Sequence, residues 1–424
     1  MHQKIRSFLF LTLTIALLAA CAGPSIRSNP AVKPLKAVPL PALPAVSIVR
    51  RPGPVDYTFI NVHPTSVPKV DPDSTEPFQI DFRSSDLTDL DLSRSMDVLD
   101  MANYDSQTKW PPAKKLPAGF SVQKTMEMGK DPGLGMKYLH AKGITGRGVG
   151  IAIIDQTLLV DHQEYADRLR VYEEAADVTD GWLGTSMHAP AVASIAVGKT
   201  VGVAPEADLY FIASGGCNGD ANIQNFDFSC LAKDVLRVIA INQGLPEGRK
   251  IRVLSMSIGW VSGQKGYQEI TAAVDQAEAA GIFVVSSSLS ATYGFHFQGM
   301  GRDPQSGPDR FNSYLPGYWW AQQFYSGKYN LDNTLLVPMD ARTTASPTGL
   351  NAYVFYGEGG WSWSIPYLAG MYALAWQVHP GVTPQEFWST ALQTGKTSQI
   401  KHAGKQYSFG VILDPQALIA ALQK

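Results

Sequence analysis

The chain contains little cysteine and almost no net charge. Three of its 424 residues are cysteine, and 35 basic residues nearly balance 37 acidic ones, which gives a net charge of −2. Since binding to nucleic acid depends on an excess of basic side chains, this balance predicts no nucleic-acid partner. Hydrophobic residues make up 45% of the chain beside 38 glycines and 28 prolines, a composition typical of a loop-rich globular α/β protein.

The apolar run near the N-terminus is too short to cross a bilayer as a helix. Lys4 and Arg6 precede this run, which covers positions 8–20 and is typical of a secretory signal sequence. It ends in a leucine, two alanines and Cys21, which resembles the bacterial lipobox, cleaved before a cysteine that then carries lipid. The resemblance predicts that residues 1–20 are a lipoprotein signal peptide and that lipid on Cys21 anchors the protein to the membrane, on the extracytoplasmic side of the bacterial cell envelope. The alternative is a cysteine that follows an ordinary secretory signal by chance.

The other two cysteines, Cys217 and Cys230, allow two interpretations. In an oxidising compartment they would close a short loop as a disulfide, and alternatively they are two buried thiols. The sequence does not define their separation in space. The expected location favours the disulfide.

The segment between the signal and the main body has two parts. Residues 21–54 are rich in proline, which predicts an extended, semi-stiff tether of about 3 Å per residue that lifts the body off the membrane. Residues 55–125 show no repeat and form an N-terminal extension. Three alternatives stay open for this extension: a propeptide, a small accessory domain, or an arm that packs on the main body.

The remaining residues, 126–424, show the regular alternation of an α/β domain. A continuous apolar run at 149–154 is typical of a strand buried on both faces of a parallel sheet. Further strands alternate with helices, which predicts a doubly wound, mostly parallel sheet with helices on both faces. The predicted strands are 207–213, 251–257, 282–288 and 335–337, and the predicted helices are 136–141, 189–197, 231–242, 267–280, 385–392 and 415–422. Residues 291–334 have no clear period and are predicted to be a long surface insertion.

Three side chains of complementary chemistry follow these elements. Asp155 directly follows a buried strand, and His188 begins a helix of small residues. Two glycines deliver Ser362 to the first turn of an apolar helix, where free N–H groups and the helix dipole favour an oxyanion. A serine becomes a nucleophile when a histidine takes its proton and a carboxylate orients that histidine. These residues predict an acyl-transfer site, with a plain N-cap as the alternative for Ser362.

From about Gly133 to the C-terminus the chain resembles the subtilisin-like serine peptidases, or subtilases, with the residue order Asp, His, Ser. Asp155 lies in a block similar to that family's aspartate block and His188 in one similar to its histidine block. Ser362, with Pro366 four residues further on, lies in one similar to its serine block. The resemblance implies a subtilisin-like fold and a serine endopeptidase that uses these three residues on a peptide or protein substrate.

The resemblance also assigns residues around the catalytic three. One segment would pair with substrate backbone by strand addition, and another would form a wall of the specificity pocket. These positions are Ser214, Gly215 and Gly216 on the first segment and Ser257, Ile258 and Gly259 on the second. For the first segment an ordinary loop is the alternative. An asparagine normally donates to the oxyanion in this family, and the alignment puts Ser290 at that position.

No metal or cofactor site is predicted. The resemblance implies no required cofactor. Structural calcium is common in the family, but no compact loop of aspartate and asparagine identifies a site in this sequence. His162, with Asp161 and Glu164 nearby, fits no common spacing of metal ligands and is predicted to be a surface histidine.

The chain departs from the family pattern near each catalytic residue. Gln156 follows the aspartate, Ala189-Pro190 follow the histidine, and Trp361 precedes the serine, where the family usually has glycine, threonine or a small hydroxyl residue. With Ser290, these departures support a second hypothesis, a catalytically weak or inactive subtilase-like lipoprotein that binds peptides or proteins. A third hypothesis is a structural envelope lipoprotein that uses residues 55–125 for partner contact.

Overall fold

The fold consists of three sheets and the helices packed around them. The computed structural model describes residues 31–36, 38–57, 63–71, 74, 78–176, 178, 184–216 and 226–423. Within these residues the strands are β1 Ser47–Ile48, β2 Asn103–Asp105, β3 Gly150–Asp155, β4 Leu169–Glu174, β5 Asp208–Ala213, β6 Ile251–Met256, β7 Phe283–Ser286, β8 His296–Arg302, β9 Tyr314–Pro316, β10 Thr334–Pro338, β11 Arg342–Ala345, β12 Tyr353–Tyr356, β13 Lys396–His402 and β14 Lys405–Ile412. The α-helices are α1 Met96–Met101, α2 Val122–Lys130, α3 Met136–Ala141, α4 His188–Val197, α5 Phe228–Gln243, α6 Tyr267–Ala279, α7 Leu289–Tyr293, α8 Tyr318–Tyr325, α9 Trp361–Val378, α10 Pro384–Thr394 and α11 Pro415–Leu422.

The central sheet has the strand order β1-β4-β5-β3-β6-β7, and all its pairs are parallel. Alternate residues face opposite sides: Ile151 and Ile153 join the core formed with α4 and α9, whereas Ala152 and Ile154 join the core formed with α5 and α6. Burial on both faces explains the continuous apolar run of β3. Each fully buried isoleucine contributes about 1.5–3 kcal/mol to stability. The predicted doubly wound, mostly parallel sheet with helices on both faces is confirmed.

The prediction of a surface insertion at 291–334 is wrong. This region contributes β8 and β9 to a second sheet with the order β13-β14-β10-β8-β9, and it also forms the helix α8. Trp320 and Phe324 of α8 pack on Phe409 of β14 and form a separate core, so the aromatic residues that obscured the periodicity are buried. The strand predicted at 335–337 exists as β10, but it pairs with β8 and β14 rather than with the central sheet.

The third sheet joins the N-terminal extension to the main body. β2, from the extension, pairs antiparallel with β12, which pairs with β11. Leu99 and Tyr104 of the extension share a core with Ala341 and Phe355, and the rings of Tyr104 and Phe355 stack at 5.0 Å. Residues 78–120, here called the arm, therefore pack on the main body.

Residues 31–36 and 38–57, here called the strap, also lie against the body. The strap is extended, as its prolines predict, but its strand β1 pairs with β4 at the edge of the central sheet. The Gln423 side chain bonds both the N–H and the oxygen of Lys33 at 2.8 Å, and Thr185 Oγ1 donates to the Gly53 oxygen at 2.8 Å. The prediction of a free tether over residues 21–54 is thus wrong for the residues described from 31 onward. The physical reason is that an extended segment satisfies the unpaired groups of an edge strand.

Candidate active site

Asp155 and His188 meet at the carboxyl end of the central sheet. Asp155 is the last residue of β3, and His188 is the first residue of α4. His188 Nδ1 lies 2.8 Å from Asp155 Oδ1 and 2.9 Å from Oδ2, and the Asp155 side chain is 5% exposed. The Gln156 N–H donates to Asp155 Oδ1 at 2.8 Å and helps to hold the carboxylate in place. The pair leaves Nε2 of the imidazole facing away from the carboxylate.

Aromatic packing and charge define the state of His188. Burial lowers the pKa of His188, but the charge of Asp155 and its hydrogen bond outweigh burial, so the net pKa is raised above 6.5. Trp363 packs on the imidazole with ring centroids 5.4 Å apart, and Tyr356 packs edge-on against Trp363 at 4.9 Å. These rings restrict the imidazole to the orientation in which Asp155 accepts its proton.

Ser362 is the second residue of α9, and the N-cap is Gly360. The alternative of a plain N-cap serine is therefore wrong. The main-chain oxygen of Ser362 accepts a hydrogen bond from Ser257 Oγ at 3.1 Å. Pro366, four residues further along α9, has no N–H to donate to that oxygen. The Ser257 hydroxyl thus takes the place of a helical hydrogen bond and holds the first turn of α9.

A cavity of about 120 Å³ opens beside the Asp155–His188 pair. Its lining consists of Ile154, Asp155, Gln156, His188, Ser214, Phe226, Leu231, Ser257 and Ile258. Ser257 also donates to the Ser362 main-chain oxygen, so Ser362 lies next to a residue that lines the cavity. The cavity therefore joins the Asp155–His188 pair to three of the six predicted substrate-binding residues, Ser214, Ser257 and Ile258, and Ser362 is connected to it through the Ser257 hydrogen bond.

The six predicted substrate-binding residues lie at the ends of β5 and β6. The Ser214 N–H donates to the last main-chain oxygen of β3 at 2.8 Å, so residues 214–216 extend from β5 toward the site. Residues 257–259 follow β6, and a Cβ on Gly259 would lie 3.0 Å from the Cβ of Ser287. The segments after β6 and β7 therefore touch each other; Ser257 and Ile258 line the cavity beside the Asp155–His188 pair, whereas Ser287 lines a second cavity.

Ser290 does not line the cavity beside the Asp155–His188 pair and lies in the short helix α7. Its side chain is exposed, and its Oγ lies 3.3 Å from His296 Nδ1. Ser290 and Trp361 line a second cavity of about 370 Å³, together with His296 and Lys328. Since Trp361 begins α9, this cavity reaches the helix start where backbone N–H groups are free to bind an oxyanion.

Two buried residues that the sequence did not indicate hold the loop in front of Ser362. Asp340 Oδ1 accepts the N–H of Gly359 at 2.8 Å, and its Oδ2 accepts the N–H of the first residue of α8 at 3.1 Å. Burial raises the pKa of Asp340 to about 7. Asn103 of the arm accepts the N–H of Glu358 through Oδ1 at 3.3 Å. No pattern in the sequence indicates these residues, because their contacts with this loop depend on tertiary packing.

The other predicted sites have different outcomes. In the part of the chain that the structure describes, no group of three or more His, Cys, Asp or Glu side chains could hold a metal, and calcium has no assigned site. His162 is fully buried with Nε2 2.9 Å from the Ala352 oxygen, so the prediction of a surface histidine is wrong. Cys230 is disulfide-bonded. Cys217 and Cys21 lie outside the described residues, so the Cys217–Cys230 pairing and the lipidation of Cys21 stay predictions.

A comparison with models of known protein families gave a match to part of the chain. Residues 146–290 match the model of the subtilase family, Peptidase_S8. The match covers about a third of the chain, includes Asp155, His188 and Ser290, and ends before Ser362. It supports a serine peptidase function, and the assignment of individual residues rests on the geometry.

Solved structures of proteases are among those similar to this chain. One is the prenylagaramide maturation protease PagA, with a TM-score of 0.46 and 16% identity over 68% of this chain and 98% of that chain. A cold-adapted subtilisin-like serine proteinase has a TM-score of 0.41 and 18% identity over 59% of this chain and 83% of that chain. The self-cleaved protease domain of PatA has a TM-score of 0.43 and 18% identity over 66% of this chain and 98% of that chain. A comparison with curated proteins gave no match.

Proposed function

We propose that this chain, whose residues 146–290 match the subtilase family, is a serine endopeptidase that hydrolyses peptide bonds with Asp155, His188 and Ser362. The observation that carries the proposal is the contact of His188 Nδ1 with both oxygens of Asp155, at 2.8 and 2.9 Å, beside the first turn of α9. A histidine oriented in this way can accept a serine proton on Nε2. The substrate would be a peptide or a protein.

The reaction would proceed through an acyl-enzyme. Ser362 Oγ bonds to the carbonyl carbon of the substrate while its proton passes to His188 Nε2. The oxyanion forms beside the first N–H groups of α9, with Ser290 as the proposed side-chain donor. The C–N bond breaks as His188 gives the proton to the leaving amine, and a water molecule, activated by the same histidine, then releases the acyl group. Asp155 orients His188 and stabilises its cation.

The proposal includes a location. Lipid on Cys21 would anchor the enzyme to a membrane on the extracytoplasmic side of the bacterial cell envelope. The support for this part is the lipobox-like pattern that ends at Cys21. Over the described ranges, no helix combines the length and the apolar character needed to cross a membrane.

Labelling with a serine-directed fluorophosphonate probe tests the proposal. We expect the wild-type protein to be labelled at Ser362 and Ser362→Ala to be unlabelled. His188→Ala should slow labelling by about 1000-fold or more, because the serine then has no base. The neutral imidazole is the base and the pKa of His188 is raised, so labelling should increase as the pH rises through a value above 6.5.

Ser364→Ala is the matched control for this experiment. Ser364 lies on the same helix, and its hydroxyl donates to the Pro338 oxygen at 3.3 Å, away from the catalytic pair. This variant should be labelled at the wild-type rate. Folded wild-type protein that is not labelled at Ser362 would contradict the peptidase proposal and would favour peptide binding without catalysis.

A further inference from the structure

The arm forms part of the surroundings of the proposed nucleophile. Its strand β2 pairs with β12, and from β12 the chain runs through residues 357–360, here called the nucleophile loop, to α9. The contact continues beyond the strands, because the Gly357 N–H donates to the Ala102 oxygen at 3.2 Å. A Cβ on Gly357 would lie 2.5 Å from the carbonyl carbon of Met101. The backbones of the arm and the nucleophile loop are thus in direct contact.

Asn103 of the arm adds a side-chain contact to this loop. The residue is fully buried, and its Oδ1 accepts the Glu358 N–H at 3.3 Å. Its Nδ2 is buried and has no hydrogen-bond partner among the residues that the structure describes. A buried polar atom without a partner lowers stability. Because the unpaired Nδ2 does not stabilise the fold, the favourable role of the Asn103 side chain is to accept the hydrogen bond of the nucleophile loop through Oδ1.

A series of side-chain contacts also connects the arm with His188. The guanidinium of Arg83 lies 5.7 Å from the ring centroid of Tyr356, and its Nη1 lies 3.5 Å from the Tyr356 hydroxyl. Tyr356 in turn packs against Trp363, which packs on the imidazole of His188. The arm therefore contacts the nucleophile loop directly and contacts His188 through Tyr356 and Trp363.

We propose that the arm is a permanent positioning element of the active site and that Asn103 is a positioning residue for Ser362. The inference rests on the proposed function, because it concerns how fast Ser362 reacts. Release of the arm, as a propeptide is released, would unpair β12 and uncover Phe355, which lies in the core shared with the arm. It would also leave the Glu358 N–H without its acceptor. A released propeptide is the interpretation that this proposal excludes.

Two substitutions of Asn103 separate positioning from stability. Asn103→Leu removes the acceptor and the unpaired amide together, whereas Asn103→Asp keeps an acceptor oxygen but buries an acid. We expect Asn103→Leu to lower kcat and the rate of probe labelling at Ser362 by about tenfold or more, because a misplaced nucleophile loses near-attack geometry. KM should change by less than about twofold. Asn103→Asp should react faster than Asn103→Leu although its melting temperature is lower.

The matched control is Asn351→Ala, because Asn351 is an exposed amide in the turn that leads into β12. This variant should react at the wild-type rate. Should Asn103→Leu not fold, Asn103→Ala gives the same comparison with Asn103→Asp, since it also removes the acceptor. Reaction rates that rank in the same order as the melting temperatures would overturn the proposal, as would an Asn103→Leu variant that reacts like wild type.

Hydrogen exchange distinguishes failure of this inference from failure of the proposed function. The Glu358 amide should exchange about tenfold faster in Asn103→Leu than in wild type, whether or not the protein cleaves peptides. If wild type is not labelled at Ser362 but Glu358 exchange depends on Asn103, the peptidase proposal fails and the contact of the arm with the loop stands. Equal exchange in both proteins overturns the positioning role of Asn103.

Discussion

The resemblance to subtilases puts Ser290 at the position where that family has an asparagine that donates to the oxyanion. The Ser290 hydroxyl is exposed, lies 3.3 Å from His296 Nδ1, and shares a cavity with the start of α9. An asparagine amide reaches further from the backbone than a hydroxyl does. A donor must lie about 2.7–3.1 Å from the oxyanion, so the shorter serine side chain is expected to stabilise the oxyanion less than an asparagine would.

We expect Ser290→Asn to raise kcat with little change in KM, because the oxyanion exists only near the transition state. One such donor typically changes turnover by about 100- to 1000-fold, so the gain should be readily measured by steady-state kinetics on a peptide substrate. Ser290→Ala should lower kcat if the hydroxyl donates, directly or through water. Thr292→Ala, on the same short helix, is the control. If both Ser290 variants match wild type, Ser290 is not the donor.

The sequence predicted residues whose chemistry depends on local context and missed those that act from a distance. Asp155, His188 and Ser362 each stand at the end of a strand or the start of a helix, where a pattern can be read along the chain. Asn103 lies in β2 of the arm, and Asp340 lies in the connection between β10 and β11. Their contacts with the nucleophile loop therefore depend on tertiary packing. Residue type alone does not identify them, because both types are common in ordinary turns.

Strands and helices with strong periodicity were predicted closely. Helices α3 and α11 have the predicted bounds, and the strands β3, β5, β6 and β7 of the central sheet differ from prediction by two residues or fewer at each end, whereas β1 and β4 of the same sheet were not predicted. Their continuous apolar runs follow from burial on both faces. The region 291–334 was missed because β9 is three residues long and α8 is rich in aromatic residues, so neither shows a period. The partner of β10 could not be predicted, because parallel pairing leaves no local signal in the sequence.

Asp340 links the second sheet and α8 to the nucleophile loop, and its titration should affect stability. Burial raises the pKa of Asp340 to about 7, against an ordinary value of 3.8. Between these values the unfolded chain has lost the proton while the folded chain keeps it, so stability falls as the pH rises from about 4 to about 7. The difference between these two pKa values corresponds to a decrease in the free energy of unfolding on the order of 4 kcal/mol across this pH range. Asp340→Asn should remove this part of the slope.

Denaturant unfolding of wild type and Asp340→Asn at several pH values measures this effect. The free energy of unfolding of the variant, relative to wild type, should increase as the pH rises. The pKa of Glu358 is also raised by burial, so a smaller slope of the same sign is expected in both proteins. Asp275→Asn, at an exposed position on α6, should follow the wild-type curve. Parallel curves for wild type and Asp340→Asn would show that Asp340 does not titrate in this range.

For the whole molecule, the main difference from the sequence interpretation concerns the N-terminal third. The proline-rich composition of the strap correctly indicated extended backbone, but composition does not reveal that the backbone pairs with β4. Arg50 Nε lies 2.9 Å from each carboxylate oxygen of Glu174 at the end of β4 and adds an ion pair to this contact. The strap and the arm each add a strand to a sheet of the main body, so two of the three sheets combine residues from before and after position 126.

This organisation predicts that the mature protein extends from Cys21 and is not cut near residue 125. Such a cut would leave β1 and β2 on a different chain from the body, and the catalytic residues would no longer be covalently linked to the proposed lipid. Mass spectrometry of the membrane fraction should find lipid on the peptide that begins at Cys21, and the body should be in the same fraction. Cys21→Ser should abolish the lipid mass. A body that begins near residue 125 and is found in the medium would contradict both the tethered enzyme and the permanent arm.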